Sequence, residues 1–341
     1  MAGRSTDTVT RAGTARNGEP RLDIRDLDVR MVIDGREVNL IEGVDLAILP
    51  GQTTGLIGES GSGKSVLASA IIGLLPDSMT LHGVIEFGGE NLTLVSPRRR
   101  RELRGRSIAM VFQDPLASLN PVQRIGKQVG EILRRSGMHG AALRSRVVSL
   151  LERAGIPRPE ERARAFPHQL SGGLRQRSVI AMALAGDPVL LLADEATTAL
   201  DVTVQKRILA LLSELQADTG MSMLFVSHDL RVVSHIAERL VVLYAGRVAE
   251  SGPTREVLAR PAHPYTRALV QSIPAVHSRS DIGTPLSGVP ASPLDRPTGC
   301  AFHPRCPLAQ EICAREIPIL REVAPGRRSA CHFAEEVLAN A

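Results

Sequence analysis

The segment that most constrains this chain is its glycine loop, residues 58–65 (GESGSGKS), which follows the apolar run Thr53 to Ile57. The loop fits the phosphate-binding pattern G-x-x-x-x-G-K-[ST] at every fixed position. Its glycines let successive backbone N–H groups face a phosphate, and a helix that begins near Lys64 adds the positive end of its dipole. An ordinary glycine turn before a helix does not require the complete pattern. The predicted phosphate-binding residues are Gly58, Ser60, Gly61, Ser62, Gly63, Lys64 and Ser65.

Two acids follow another apolar run, Val189 to Ala193. A carboxylate at the end of a buried strand is costly unless it holds an ion or a hydrogen bond, so Asp194 is predicted to bind Mg²⁺ through water, beside the Ser65 hydroxyl. Glu195 points across the pleat and is predicted to orient and deprotonate an attacking water. A pair of helix-capping acids is the alternative interpretation.

Gln113 and His228 each end a predicted strand of the same sheet. Ligands of open α/β sheets lie at the carboxyl ends of the strands, so both side chains are expected near the phosphates. Gln113 can coordinate Mg²⁺ or the attacking water, and His228 can hydrogen-bond the γ-phosphate. Either residue alone would be assigned to the surface; their order along the chain supports the functional interpretation.

Ser171-Gly172-Gly173 opens a predicted helix far from the phosphate loop in sequence. The Ser171 hydroxyl and the backbone N–H groups form a second anion site. This site suits the γ-phosphate that is held by a partner subunit. ATP would then join two subunits head to tail, and hydrolysis would let them part.

Hydrophobic patterning divides the chain into regions. Residues 1–20 are polar and predicted to be disordered. Residues 21–271 are predicted to form an α/β nucleotide-binding domain with a mostly parallel core sheet, a small antiparallel β layer and an inserted helical subdomain at about 115–170. A Pro-, Ser- and Gly-rich linker, residues 272–299, leads to a cysteine-bearing module at 300–341.

The composition limits the partners. No apolar run approaches the roughly 18 residues that span a bilayer, so the chain is predicted to remain in the cytoplasm and to need other subunits for any membrane function. The net charge of +5 is modest, and only 2% of the residues are aromatic. The one basic cluster, residues 98–101, is interpreted as a solvated helix face, and no nucleic-acid partner is predicted.

The cysteines are confined to the end of the chain, with the spacing C-x₅-C-x₆-C-x₁₇-C. Such spacing in a cytosolic protein points to metal before disulfide. The short C-x₂₋₄-C knuckles of structural zinc are absent, which favours a [4Fe–4S] cluster over Zn²⁺, with unoccupied thiols as a third possibility. The predicted ligands are Cys300, Cys306, Cys313 and Cys331.

Together these motifs resemble an ABC-type ATP-binding cassette over residues 21–271, and more closely the importer branch for dipeptides, oligopeptides or nickel. The resemblance is carried by QDPLASLNP (113–121), HQLSGGLRQR (168–177), SHDL (227–230), HPYTRAL (263–269) and the cysteine tail. It implies a P-loop NTPase fold of ABC type and an ATP-hydrolysing energy-coupling subunit of a peptide importer. It also implies that Asp201 belongs to a loop that signals between two ATP sites, that Gln113 and the segment after it receive a coupling helix of a membrane subunit, and that the cysteine module carries a cluster.

The implied partners are a second ABC ATPase subunit, taken to be a different chain, two membrane permeases and, indirectly, an extracytoplasmic solute-binding protein. The chain would lie peripherally on the cytoplasmic face of the cell membrane. Import of nickel or another small solute stays open, as does a soluble ABC ATPase that acts on DNA or ribosomes. Two positions depart from the family: Ala196 replaces a usual proline, and Met31 lies where an aromatic residue often stacks on adenine.

Overall fold

The computed structural model describes residues 19–197, 201–273 and 288–340. The predicted N-terminal segment 1–20 therefore lies almost wholly outside the described residues, as does much of the predicted linker 272–299. Within the described ranges the strands form two sheets, one of four strands and one of eight.

The strands follow in chain order. They are β1 (Leu22–Ile33), β2 (Arg36–Ile48), β3 (Thr53–Ile57), β4 (Met79–Phe87), β5 (Glu90–Asn91), β6 (Ile108–Val111), β7 (Leu190–Asp194), β8 (Ser222–Ser227), β9 (Arg239–Tyr244), β10 (Arg247–Pro253), β11 (Arg321–Ala324) and β12 (Arg327–Ser329). The smaller sheet is antiparallel, in the order β2-β1-β4-β5, and the larger has the order β11-β12-β10-β9-β3-β8-β7-β6.

The α-helices lie between these strands and at the end of the chain. They are α1 (Lys64–Ile72), α2 (Pro97–Leu103), α3 (Pro115–Ser118), α4 (Ile125–Val129), α5 (Glu131–Arg135), α6 (Gly140–Arg153), α7 (Pro159–Arg164), α8 (Gly172–Leu184), α9 (Val202–Thr219), α10 (Leu230–Ile236), α11 (Thr254–Ala259), α12 (Pro264–Gln271), α13 (Glu311–Arg315) and α14 (Ala334–Ala339). None of the described helices is long and apolar enough to cross a bilayer.

Five strands of the larger sheet, from β9 through β3, β8 and β7 to β6, pair in parallel. Every residue of β3, β7 and β8 is buried, as expected for strands that are covered on both faces. Because these strands run the same way, their carboxyl ends share one edge of the sheet. The glycine loop, Gln113, Glu195 and His228 all follow those ends, so the fold gathers at one edge the residues singled out by their sequence patterns.

Some predicted elements end elsewhere or are new. The first helix was expected to reach about Leu75 but ends at Ile72, because Gly73 adopts a left-handed conformation (φ 75°) and its N–H bonds back to Ser69 and Ala70. The helical stretch from Ile125 to Leu133 is divided at Gly130 into α4 and α5. Strand β10 and the β11–β12 hairpin were not predicted.

The cysteine-bearing segment joins the core sheet. Strand β12 pairs with β10 through Glu250 and Ser329, and β10 pairs in turn with β9. The buried Glu250 carboxylate accepts from the N–H groups of Ala262 and His263 and from the Arg327 guanidinium. Strands on both sides of residue 300 therefore belong to one sheet.

Candidate nucleotide site

A cavity of about 1010 Å³ lies at the carboxyl edge of the parallel strands. Most of the glycine loop lines it, together with Gln113, Glu195 and His228. Residues distant in sequence, among them Met31, Leu40, Pro293 and Leu294, also line it. The structure thus brings the predicted catalytic side chains to one opening around the loop.

The loop is shaped by glycine at positions where a side chain has no room. A Cβ at Gly58 would lie 2.2 Å from the Leu243 carbonyl oxygen, and one at Gly63, where φ is 103°, would lie 2.7 Å from Ile41 Cδ1. Lys64 Nζ reaches back across the loop and donates to the carbonyl oxygens of Gly58 (2.8 Å) and Glu59 (2.9 Å). Burial lowers the pKa of Lys64, against the opposing charges of Glu195 and Asp194. An anion in the loop would relieve that cost.

Asp194 ends β7 and is only 7% exposed. Its Oδ1 has no hydrogen-bond partner among the described residues, although the Ser65 side chain bonds the carboxylate. Burial raises the pKa of Asp194; the hydrogen bond from Ser65 opposes this shift, and the Glu195 charge adds to it. An unsatisfied buried carboxylate oxygen beside a hydroxyl is the donor chemistry that Mg²⁺ prefers, so these residues fit that ion.

Glu195 connects the other two strand-end side chains. Gln113 Nε2 donates to its Oε2 at 2.9 Å, and His228 Nδ1 lies 3.3 Å from its Oε1. Its backbone takes the left-handed conformation, with φ 46°, and its N–H donates to the Val226 carbonyl on β8. Residues other than glycine are strained in this conformation, so the turn after β7 holds the carboxylate in place at a cost in conformational energy. Ala196, the residue that follows Glu195, is buried.

The Ser171-Gly172-Gly173 segment is built as predicted, and it lies apart from the loop. The Ser171 side chain caps α8 by accepting from Leu174 N (3.4 Å). None of the three residues is among the described residues that line the nucleotide cavity.

The segment instead contacts the start of α9. A Cβ on Gly173 would lie 2.9 Å from Val204 Cγ1. The Val204 N–H in turn donates to the carboxylate of Asp201, which caps α9, at 2.9 Å. Residues 198–200, which precede Asp201, lie outside the described residues.

Two residues at the loop were missed from the sequence. The Tyr265 hydroxyl accepts from Glu59 N (2.9 Å), and Arg305 forms a two-pronged ion pair with the Glu59 carboxylate. Tyr265 belongs to the HPYTRAL motif, which could have flagged it. No sequence spacing signals Arg305, which is 246 residues from its partner.

The four cysteines line one small cavity, together with His303 and His332. Burial raises the pKa of Cys300, that of Cys306 to about 11 and that of Cys331 to about 12, and neighbouring thiols add to each shift. Four sulfur donors that line one cavity are the ligand type that a metal or cluster requires. Their spacing in the structure does not fit such a group, because within the described ranges no three His, Cys, Asp or Glu side chains are placed to hold a metal ion. The predicted cluster is therefore not supported by the arrangement of the thiols.

Comparison with known proteins decides the family. A putative peptide import ATP-binding protein of Brucella ovis is 44% identical over 339 residues, which span 94% of this chain and 99% of the relative. The chain belongs to the ABC transporter family. A probable peptide ABC transporter ATP-binding protein of Sinorhizobium fredii is 42% identical, over 93% of this chain and 96% of its own length.

Family profiles and a solved structure agree with this membership of the ABC family. Residues 41–198 match "ABC transporter", and residues 249–313 match "Oligopeptide/dipeptide transporter, C-terminal region". The ATP-binding cassette MJ0796, solved as a dimer in a post-hydrolysis state with ADP and Pi, superposes with a TM-score of 0.62 at 30% identity. It covers 69% of this chain, and 99% of MJ0796 is matched. The prediction of an ABC-type P-loop fold is thereby confirmed, and the chain is an ABC ATPase.

Proposed function

We propose that this chain is the ATP-hydrolysing, energy-coupling subunit of an importer for di- or oligopeptides. The hydrolytic role rests on one observation above all: Glu195 is held by Gln113 and His228 at the mouth of a complete phosphate loop. The cargo class is supported by the similarity to peptide import ATP-binding proteins and by the match to the oligopeptide/dipeptide transporter C-terminal region. The alternative of a soluble ATPase acting on DNA or ribosomes has no such support.

The residues suggest a division of labour. Lys64 exchanges its two loop carbonyls for oxygens of the β- and γ-phosphates, while the loop N–H groups receive the β-phosphate. When bound at Asp194, Ser65 and Gln113, Mg²⁺ would neutralise charge on the phosphates. Glu195 takes the proton of the attacking water, Gln113 orients that water, and His228 hydrogen-bonds the γ-phosphate. The water oxygen bonds phosphorus in line with the departing β–γ bridging oxygen, giving ADP and phosphate.

The Ser171-Gly172-Gly173 segment would act on the nucleotide of a partner subunit. Because Ser171, Gly172 and Gly173 lie outside the cavity of their own subunit, they are available to a γ-phosphate held by a second ABC ATPase subunit. Gly173 packs beside Val204, and the Val204 N–H donates to Asp201, so Asp201 would connect this contact to α9. We infer a pair of cassettes that closes on ATP, with a different chain as the second subunit.

The permeases would dock near Gln113. Phe112, Leu116 and Val122 around the short helix α3 are exposed apolar side chains, as a surface that receives a coupling helix requires. Two permease subunits and, indirectly, an extracytoplasmic binding protein complete the importer. The subunit would then lie peripherally on the cytoplasmic face of the membrane.

The adenine base would be held by apolar contacts rather than by an aromatic stack. Met31 lines the cavity, as do Leu40, Pro293 and the exposed Leu294. A polarizable thioether and aliphatic side chains can enclose a purine face. This subsite uses the C-terminal region as well as the first hairpin.

We also propose that the four thiols accept a [4Fe–4S] cluster, with Zn²⁺ as the alternative. Their shared cavity supports this proposal, but the thiols must move to bind either group. Its role would be structural, since ligation adds folding free energy to a segment with little apolar core. Anaerobically purified protein should be coloured, with the visible absorption of one cluster per chain. Colourless protein with stoichiometric zinc would reject the cluster.

The test of hydrolysis is Glu195→Gln in the assembled importer, with the exposed Glu214→Gln on α9 as the matched control. Glu195→Gln should bind ATP and keep the cassettes paired, while phosphate release falls by about 10²–10⁴-fold because the general base is lost. Glu214→Gln should behave as wild type. Near-normal phosphate release from Glu195→Gln would refute the assignment.

A further inference from the structure

Glu59, the second residue of the glycine loop, is fixed through every polar group it has. Its N–H donates to the Tyr265 hydroxyl (2.9 Å), and its carbonyl oxygen accepts from Lys64 Nζ (2.9 Å). Its carboxylate accepts two bonds from Arg305, Nη1 to Oε2 at 2.6 Å and Nη2 to Oε1 at 3.0 Å. A loop whose backbone must present N–H groups to a phosphate is thus anchored from outside itself.

Arg305 is built into its position. Its side chain is 3% exposed, whereas that of Glu59 is 23% exposed. The guanidinium also donates to the Tyr244 hydroxyl (3.3 Å) and lies about 6 Å from the ring centroids of Tyr244 and Phe302. A desolvated, bidentate guanidinium–carboxylate pair on aromatic rings is far stronger and more directional than a surface ion pair.

The pair joins two distant parts of the chain. Arg305 ends a 3₁₀ turn, residues 303–305, directly before Cys306 in the cysteine segment. Glu59 lies five residues before Lys64. One ion pair therefore joins the cysteine segment to the phosphate loop, and the Tyr265 hydroxyl on α12 is a second anchor of Glu59.

We propose that Arg305 is a positioning residue of the ATP site, which holds the phosphate loop in its nucleotide-binding shape through Glu59. The inference rests on the assignment of ATP to this loop. Without the pair, the loop samples other shapes, and only the fraction in the correct shape binds nucleotide, so the apparent affinity falls by that fraction. We expect the chemical step to be unchanged once ATP is bound, because Arg305 is not among the described residues that line the nucleotide cavity.

The experiment is a double-mutant cycle on the full chain, with Arg305→Gln, Glu59→Gln and both together. Dissociation constants are measured with a fluorescent ATP analogue and Mg²⁺, and KM and kcat with ATP. Each single variant should weaken nucleotide binding by about 2- to 150-fold, the range that corresponds to coupling energies between contacting residues. The double variant should be no weaker than the worse single one, and kcat at saturating ATP should stay within about twofold of wild type.

Three further variants keep the test decisive. Arg305→Lys retains the charge but loses the fork, so its affinity should lie between those of wild type and Arg305→Gln. Arg315→Gln is the matched control, because Arg315 lies in the same segment and its ion pair with Glu311 is largely exposed. This variant should leave nucleotide affinity unchanged. Tyr265→Phe should weaken binding independently of Arg305, because it removes a different anchor of Glu59.

Unchanged affinity in Arg305→Gln and Glu59→Gln would overturn the proposal. So would strictly additive losses in the double variant, or a fall in kcat with KM preserved. If Arg305→Gln fails to fold, Arg305→Lys and Glu59→Gln carry the same comparison. Failure of the wild-type chain itself to bind ATP would instead contradict the proposed function, so the two outcomes are separable.

Discussion

Asp194 offers a test in which one substitution changes stability in opposite directions with and without ligand. Its carboxylate is 7% exposed, and one of its oxygens is unpartnered among the described residues. Burial disfavours the charged form of Asp194, which is the main reason its pKa is raised. Asp194→Asn removes the charge and keeps an oxygen for the Ser65 hydroxyl, while its amide NH₂ takes the place of the unpartnered oxygen. We expect the nucleotide-free variant to be more stable than wild type by on the order of 1 kcal/mol, because burying a charged group costs more than burying a neutral one.

Magnesium nucleotide should reverse this order. Wild type gains about 2.7 kcal/mol from a ligand at 100 times its dissociation constant, whereas the variant binds Mg²⁺ poorly and gains little. The measurement is urea-induced unfolding of both proteins, with and without Mg²⁺ and a non-hydrolysable ATP analogue. Asp218→Asn, an exposed position on α9, is the matched control and should shift neither curve.

The pH dependence provides an independent check. The pKa of Asp194 is raised in the folded state, so its contribution is intact below the unfolded pKa of about 3.9 and is lost as the pH rises through the folded value. The stability advantage of Asp194→Asn should therefore grow as the pH rises from 4 and then level off. Lower stability of the variant without ligand at pH 7.5 would refute the reasoning, as would an undiminished effect of Mg²⁺ nucleotide.

Two further predictions concern the loop and the thiols. Gly58→Ala should lose ATP binding, measured by isothermal titration, while it keeps its fold, since the new Cβ would meet Leu243 O at 2.2 Å beside the loop. Gly186→Ala, whose Cβ would meet Gly105 O at 1.7 Å away from the site, should instead lower the melting temperature. Equal nucleotide binding by Gly58→Ala and wild type would contradict the first expectation. The affinity for Co²⁺, measured by its thiolate absorption, should fall by up to about tenfold per bound thiol for each unit by which the pH is lowered. Cys306 and Cys331 have pKa values of about 11 and about 12, so these thiols must release protons to bind the metal. An affinity independent of pH between about 6.5 and 8 would contradict this.

How far the sequence predicts the site depends on whether a residue acts through local spacing. The glycine loop, Asp194 and Glu195 follow apolar strands in a fixed order, and parallel strands bring their carboxyl ends to one edge. Their meeting was therefore predictable without coordinates. Likewise, the capping roles of Ser171 and Asp201 follow from their place before apolar helical runs.

The remaining features depend on packing between distant segments. Gly73 and Gly130 end helices that apolar periodicity alone would extend. The convergence of four thiols in one cavity was consistent with their spacing, but spacing does not determine whether the sulfurs approach closely enough to hold a metal ion. No periodicity or motif relates Arg305 to Glu59, since contacts between distant segments, among them the β10–β12 pairing, bring the end of the chain beside the core sheet.

The left-handed backbone at Glu195 shows why some of this geometry is retained at a cost. A glycine would adopt φ 46° without strain, but it would carry no carboxylate. A non-glycine residue there costs on the order of 1 kcal/mol and persists only where surrounding contacts compensate. The bond from Glu195 N to Val226 O and the contacts with Gln113 and His228 supply that compensation. The same contacts fix the carboxylate before substrate arrives, so the strain and the preorganisation of the proposed base have a single structural origin.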